Sequence, residues 1–167
     1  YGAVIMSETV EIKLAEPENA AAILNFLRQA ATESDAVTIP HLEKVTAKEE
    51  FKNIQIINDV DDCIILLAVF EKEIVGMVTI MRLPNEPQVG ELGVIVAKKY
   101  WHQGIGQLLV DEAEYWFVNY SSLVRLTLDV FEDNVPAINL YRKMNFVVRE
   151  HRLVSGRKAL QMDYRQE

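Results

Sequence analysis

The chain has 167 residues, 50% of them hydrophobic, with a formal net charge of −8 and a sequence pI near 5.0. That length supports one compact domain, residues 1–167, burying roughly 70% of the surface its unfolded form exposes. The acidic balance repels nucleic acid, a single cysteine, Cys63, excludes an internal disulfide and a cysteine-built zinc site, and no apolar run approaches the roughly 18 residues of a membrane span.

The N-terminus has no basic stretch followed by a long apolar one, so a soluble, cytoplasmic protein with no membrane partner is expected. Met6-Ser-Glu reads like a native start, which makes Tyr1 to Ile5 an added or misassigned extension. Glu11 to Ala15 alternates weakly and suits a first strand. Pro17 then sits at the first turn of a helix to about Ala31, with Ile23, Leu27, Ala30 and Ala31 on its apolar face. Ser34 to Leu42 lacks period and reads as a loop. Thr46-Ala-Lys-Glu49 fits a capping box that opens a second helix to about Asn58.

Cys63 to Phe70 is a short unbroken apolar run, suited to a strand covered on both faces, and Glu71-Lys-Glu73 is its turn. Ile74 to Leu83 is rich in β-branched residues, Pro84 to Pro87 ends it, and Val89 to Ala97 follows as the third strand of a meander. Ile105, Leu108, Leu109, Ala113, Trp116 and Phe117 recur at helical spacing, which leaves Glu112 and Glu114 solvated. Val124 to Val130 alternates as a strand. Asn134 caps a further helix through Ala137, Leu140, Tyr141 and Met144 that closes near Asn145, and Phe146 to Glu150 pairs with Ala159 to Tyr164 around Ser155-Gly156.

Between the Val89 strand and the next helix stands Gly104-Ile-Gly106. A strand running through a glycine turn into a helix aims unpaired backbone N–H groups at an anion. The turn completes neither a dinucleotide fingerprint nor a nucleotide P-loop. Lys98, Lys99 and His102 flank it with no acid between Ile95 and Leu108, so an acidic chain keeps one spot attractive to anions. Read alone, the motif fits a phosphate cradle or a solvated turn with two incidental lysines.

With the later segment the pattern is more specific. Trp101-His-Gln-Gly104-Ile-Gly106 and Asn134-Val-Pro-Ala137-Ile-Asn-Leu140-Tyr141-Arg-Lys143-Met-Asn145-Phe146 together resemble the GNAT superfamily of acyl-CoA-dependent N-acyltransferases. Its loop is commonly Arg/Gln-x-x-Gly-x-Gly/Ala and its later signature roughly Asn-x-x-Ala-x-x-Leu-Tyr-x-Lys-x-Gly-Phe. The resemblance runs from about Ile74 to Tyr164, and the first third matches only in its order of elements. Trp101 stands where Arg or Gln is usual, which puts one polar contact near the cofactor in doubt. Asn145 stands for Gly, and both residues can end a helix at positive φ.

The resemblance implies an α/β fold: a mixed, mostly antiparallel sheet of about seven strands with about four helices, its fourth and fifth strands splayed. It implies acetyl-CoA as cosubstrate, its pyrophosphate on backbone N–H groups of Trp101, His102, Gln103, Gly104, Ile105 and Gly106, and its pantetheine arm along Val94, Ile95 and Val96. Asn134 is an N-cap that the family also uses toward the cofactor. Tyr141 matches the tyrosine beside the thioester sulfur and acts as general acid, with core packing as the other reading. Glu91, near the start of the fourth strand in an apolar stretch, is either the proton acceptor or a solvent-facing residue of an alternating strand.

Cys63 reads as a core hydrophobe. His41, His102 and His151 show no metal spacing, so no metal is expected. The expected activity is transfer of acetyl from acetyl-CoA to a primary amine of a small molecule or a protein N-terminus in a ternary complex. A non-catalytic CoA-binding regulatory module and a nucleotide-binding domain are the alternatives, and a homodimer is an open expectation.

Overall fold

The computed structural model describes residues 9–37 and 39–166. The Tyr1 to Ile5 extension lies outside the described residues. Chain order is β1 (Glu11–Leu14), α1 (Ala20–Glu33), α2 (Ala47–Asn58), β2 (Ile64–Phe70), β3 (Glu73–Leu83), β4 (Glu86–Val96), α3 (Ile105–Asn119), β5 (Arg125–Phe131), α4 (Val135–Lys143), β6 (Phe146–Val154) and β7 (Arg157–Tyr164).

Local chemistry sets these boundaries. The helix expected from Pro17 opens instead as a 3-10 turn, Pro17–Asn19, because the Glu16 N–H donates to the Asn19 side chain at 2.8 Å and closes a separate cap. The α helix begins at Ala20. At α2 the capping box is present as read, with the Glu49 N–H on Thr46 Oγ1 at 3.1 Å and the Thr46 N–H on Glu49 Oε1 at 2.9 Å. Glu71 and Lys72, at φ 49° and 69°, make the two-residue turn, so Glu73 already belongs to β3. The strand β4 starts at Glu86, three residues before the expected Val89, and its register against β3 shifts at Arg82/Leu83 so that Pro87 is accommodated.

The sheet order is β1-β2-β3-β4-β5-β7-β6. Neighbours are antiparallel except β4 and β5, which α3 joins as a parallel crossover. That parallel pairing is brief: Val89↔Arg125, Gly90↔Leu126 and Glu91↔Thr127. Beyond Glu91, β4 stays paired to β3 as far as Val96↔Gly76, while β5 stays paired to β7 as far as Phe131↔Ala159. The two strands therefore part into a fork, as the resemblance implies.

Strand alternation gives the sheet two cores. On one face Ile105, Leu109 and Ala113 of α3 and Ile138 of α4 pack on Val78, Ile80, Leu92 and Leu128. On the other, Ile23 and Leu27 of α1 and Ile54 and Ile57 of α2 pack on Ile65, Leu67 and Met77. The fork is the passage between the two faces.

Glu114 departs from the sequence reading in its burial. Glu114, expected to be solvated, is 6% exposed and its Oε2 has no hydrogen-bond partner. It shares a helix face with Val110, Ala113 and Phe117, and the Phe117 ring stacks edge-on against Tyr164 at 6.0 Å, so this arc of α3 is covered. Burial, reinforced by the charge of Asp111, pushes its carboxyl up to about 8. The folded state thus holds the proton more tightly than the unfolded one, whose carboxyl titrates near 4.5. Its contribution is fully present below pH 4.5 and lost as pH rises through about 8. Glu114→Gln should therefore flatten the fall in thermal stability over that window; parallel Tm curves for the two proteins would contradict this burial.

Candidate active site

The strand β4 ends at Val96, and the chain makes a 3-10 turn, Lys98–Tyr100, before α3. The Lys98 N–H donates to Glu33 Oε1 at 2.9 Å, which ties the turn to the end of α1. His102 and Gly104 both take left-handed backbone, at φ 61° and 82°. Glycine at the second of these, the N-cap of α3, lets the chain turn into the helix without a Cβ in the way.

The first helical bond of α3 runs from the Leu108 N–H to the Gly104 carbonyl at 3.1 Å. Among the described residues, the N–H groups from His102 to Gln107 accordingly have no protein acceptor. The Trp101 N–H does: it bonds the Lys98 carbonyl at 3.1 Å, so the run of available donors starts one residue later than read and extends one further. The Trp101 side chain supplies a different contact, its indole N–H donating to the Val96 carbonyl at 2.7 Å and bracing the turn against the strand end. Gln103 turns its amide to the Lys99 carbonyl at 3.4 Å.

A Cβ built on Gly106 would lie 3.5 Å from Leu140 Cδ2 and 3.9 Å from Val96 Cγ2, ordinary contact distances. The protein interior would tolerate a methyl there. Both of those residues line the cleft, so glycine there leaves the cleft wider beside the N–H groups. A diphosphate fits this turn: six unpaired donors at a helix N-terminus, with Lys98 and Lys99 nearby and no acid in the loop.

From the turn a cleft of about 1020 Å³ runs through the fork. On the α3 and α4 side its walls include Val94, Val96, Trp101, His102, Gly104, Ile105, Gly106, Gln107, Asn134, Leu140 and Tyr141. On the α1 and α2 side they include Val37, Ile39, Glu50, Thr79, Met81, Glu91 and Asp129. Ile95 borders the cleft as well, but its side chain packs with the α1 and α2 core, opposite Val94 and Val96. Gln103 is not among the lining residues. Gln107, which sequence reasoning passed over, is; the rule that every first-turn N–H is orphaned could have found it.

Tyr141 sits at the α4 wall, 8% exposed, its ring edge-on to Phe146 with centroids 5.9 Å apart. Burial pushes its hydroxyl up to about 12, so it stays protonated and able to donate at neutral pH. Among the described residues that hydroxyl has no hydrogen-bond partner. Asn134 holds α4 in place: its Oδ1 accepts the Ala137 N–H at 3.4 Å.

Glu91 is the last residue of β4 paired to β5, and it is both solvent-exposed and part of the cleft wall. Desolvation by the surrounding protein raises its carboxyl above the ordinary range, the charge of Asp129 adds to the rise, and Arg152 opposes it. Glu50 of α2 shares this half of the cleft and is likewise raised by burial. Sequence reasoning missed Asp129, one of the polar positions alternating with Leu128 and Val130 along β5. The Cys63 thiol, raised by burial and placed beside the Arg82 N–H at 3.5 Å, lies outside the cleft. Among the described residues no group of three or more His, Cys, Asp or Glu is placed to hold a metal, and no helix is long and apolar enough to cross a membrane.

The family model described as "Acetyltransferase (GNAT) family" matches residues 24–146, the span that carries the fork, the turn and Tyr141. The chain belongs to the GNAT family. It is an acyl-CoA-dependent N-acetyltransferase. Among related proteins, the L-amino acid N-acetyltransferase AaaT of Escherichia coli (strain K12) is 28% identical over 145 residues, covering 86% of this chain and 85% of AaaT. A GNAT-family acetyltransferase structure from Streptococcus pneumoniae superposes with a TM-score of 0.84 at 29% identity, covering 92% of this chain and 98% of that one. The PaiA N-acetyltransferase of Thermoplasma acidophilum, solved in complex with coenzyme A, shares the fold at a TM-score of 0.73 and 19% identity, covering 94% and 99%.

Proposed function

We propose that this GNAT enzyme transfers acetyl from acetyl-CoA to a primary amine of a small molecule or a protein N-terminus, by direct attack with donor and acceptor bound together. The observation that carries this reading is the continuity of the cleft: one passage joins the turn with its unpaired N–H groups on one face of the sheet to a carboxylate-lined wall on the other. The N–H groups from His102 to Gln107 would hold the diphosphate, and Val94 and Val96 would flank the pantetheine arm. The cosubstrate supplies an activated acyl carbonyl on a thiol leaving group.

The protein's own residues manage the protons. Glu91, raised toward the working range, takes a proton from the acceptor nitrogen directly or through one water. Tyr141, protonated and without a protein partner, donates its O–H toward the departing sulfur. The edge of β4 past Glu91, unpaired to β5, offers main-chain donors toward the fork.

Charge in the cleft narrows the acceptor. Glu50, Glu91 and Asp129 line its acceptor half, and none of the described lining residues is Lys or Arg. An ammonium is matched there, whereas the carboxylate of a free amino acid meets three carboxylates, with Arg152 already ion-paired to Asp129. The name of the Escherichia coli relative makes L-amino acids the natural comparison. A panel of spermidine, tyramine, a peptide with a free N-terminus and L-amino acids, assayed by thiol release from acetyl-CoA, tests both points. Amines without a free carboxylate should react fastest. Preference for L-amino acids would contradict the acceptor class, and no release with any amine would contradict transfer to amines.

A further inference from the structure

We propose that Asp129 is a second acceptor-binding residue of this transferase: across the fork from Glu91, its carboxylate holds the ammonium of the incoming amine while Glu91 takes the proton. This rests on the reading of Glu91 as proton acceptor. Glu91 pairs with Thr127 in the last register of β4 and β5, and Asp129 is the next residue of β5 on the same face. Strand geometry puts the two Cα atoms roughly 8 Å apart, one on each side of the point where the strands part. Both residues line the cleft.

Asp129 accepts no hydrogen bond from the described residues, although Arg152 is ion-paired to it. Its Oδ1 is buried and accepts no hydrogen bond, and Arg152 Nε stands 3.7 Å away, too far for one. Its neighbour Asp163, by contrast, accepts from Arg125 at 2.9 Å and from Arg149 at 3.3 Å. Oδ1 is covered by protein beside Arg152, so the partly exposed Asp129 carboxylate would meet an ammonium N–H in the cleft through its other oxygen, which accepts no hydrogen bond from the described residues.

Asp129 differs from Glu91 in its ion pair with Arg152. From β6 it faces Arg152 and Glu150, from β4 Glu91, and from β7 the neutral Gln161; Glu50 of α2, bound by Asn53, lines the same half of the cleft. Burial raises the Asp129 carboxyl as it does that of Glu91, and Arg152, which opposes the rise at both, is ion-paired to Asp129. In the step, an N–H bond of the ammonium breaks and an O–H bond forms on Glu91. The ammonium and Glu91 charges cancel, Asp129 keeps its charge on a remaining N–H, and the nitrogen lone pair is free to attack.

The test joins a binding readout to kinetics. With the CoA-saturated protein carrying ¹³C-labelled Asp and Glu carboxyls, n-butylamine at pH 7 should move the Asp129 and Glu91 signals together, and n-pentanol should move neither. Asp129→Asn should raise the KM of the most active amine about 10- to 100-fold with the KM for acetyl-CoA unchanged. It should also shift the ascending limb of kcat/KM to lower pH, because a negative neighbour of Glu91 is gone. Asp129→Glu should recover part of the amine KM.

A wild-type Asp129 signal indifferent to n-butylamine, or an Asp129→Asn enzyme with unaltered amine KM and pH limb, would overturn the proposal. A Glu91→Gln enzyme that keeps its ascending limb overturns the role of Glu91 instead, and the n-butylamine response of Asp129 tells the two failures apart.

Discussion

Tyr141→Phe should lower kcat by about 10²–10⁴-fold while leaving the affinity for CoA nearly intact. The substitution removes one oxygen and no packing surface: the ring keeps its edge-on contact with Phe146, and the hydroxyl has no protein partner to abandon. Little stability should be lost, so a large kinetic effect would report on the proton alone. Burial holds that proton through neutral pH, which suits a donor to sulfur and rules against Tyr141 as a base in the same range. Single-turnover kinetics with acetyl-CoA, beside calorimetric titration with CoA, separate the two quantities. A variant that turns over at the wild-type rate would remove Tyr141 from the acid role and leave it a packing residue of α4.

Glu91→Gln should have the second large effect, about 10²–10⁴-fold on kcat/KM for the amine, with loss of the ascending limb of its pH profile. The direction follows from the raised carboxyl: Glu91 accepts a proton only when ionised, so activity rises as pH climbs through a value above the ordinary carboxylate range. Gln preserves the shape of the side chain and cannot accept that proton. A profile identical to the wild type would transfer the base role to water or to another wall of the cleft.

Residues whose roles are local were the most legible in the sequence. The Thr46/Glu49 box, the left-handed helix end at Asn145 (φ 71°) and the Asn134 cap each depend on a few neighbouring atoms, and each is found where its pattern puts it. The fork was implied by family likeness, and no local pattern in β4 or β5 announces it. It arises because β4 follows β3 and β5 follows β7, a competition between partners far apart in the chain.

Other features stayed hidden for similar reasons. Asp129 looks like any outward position of an alternating strand until β6 brings Arg152 beside it and the fork opens at its foot. Glu114 looks outward until Tyr164, fifty residues on, folds over Phe117. The available donors were displaced by one residue because Trp101 closes a 3-10 turn on Lys98, a contact that the glycine spacing does not encode.

The crystal structure of the CoA complex is the most direct measurement. Pyrophosphate oxygens should lie roughly 3 Å from backbone nitrogens between His102 and Gln107, with the thiol in the fork between β4 and β5 beside the Tyr141 hydroxyl. A pyrophosphate bound away from the α3 N-terminus, or a thiol directed outside the fork, would contradict it.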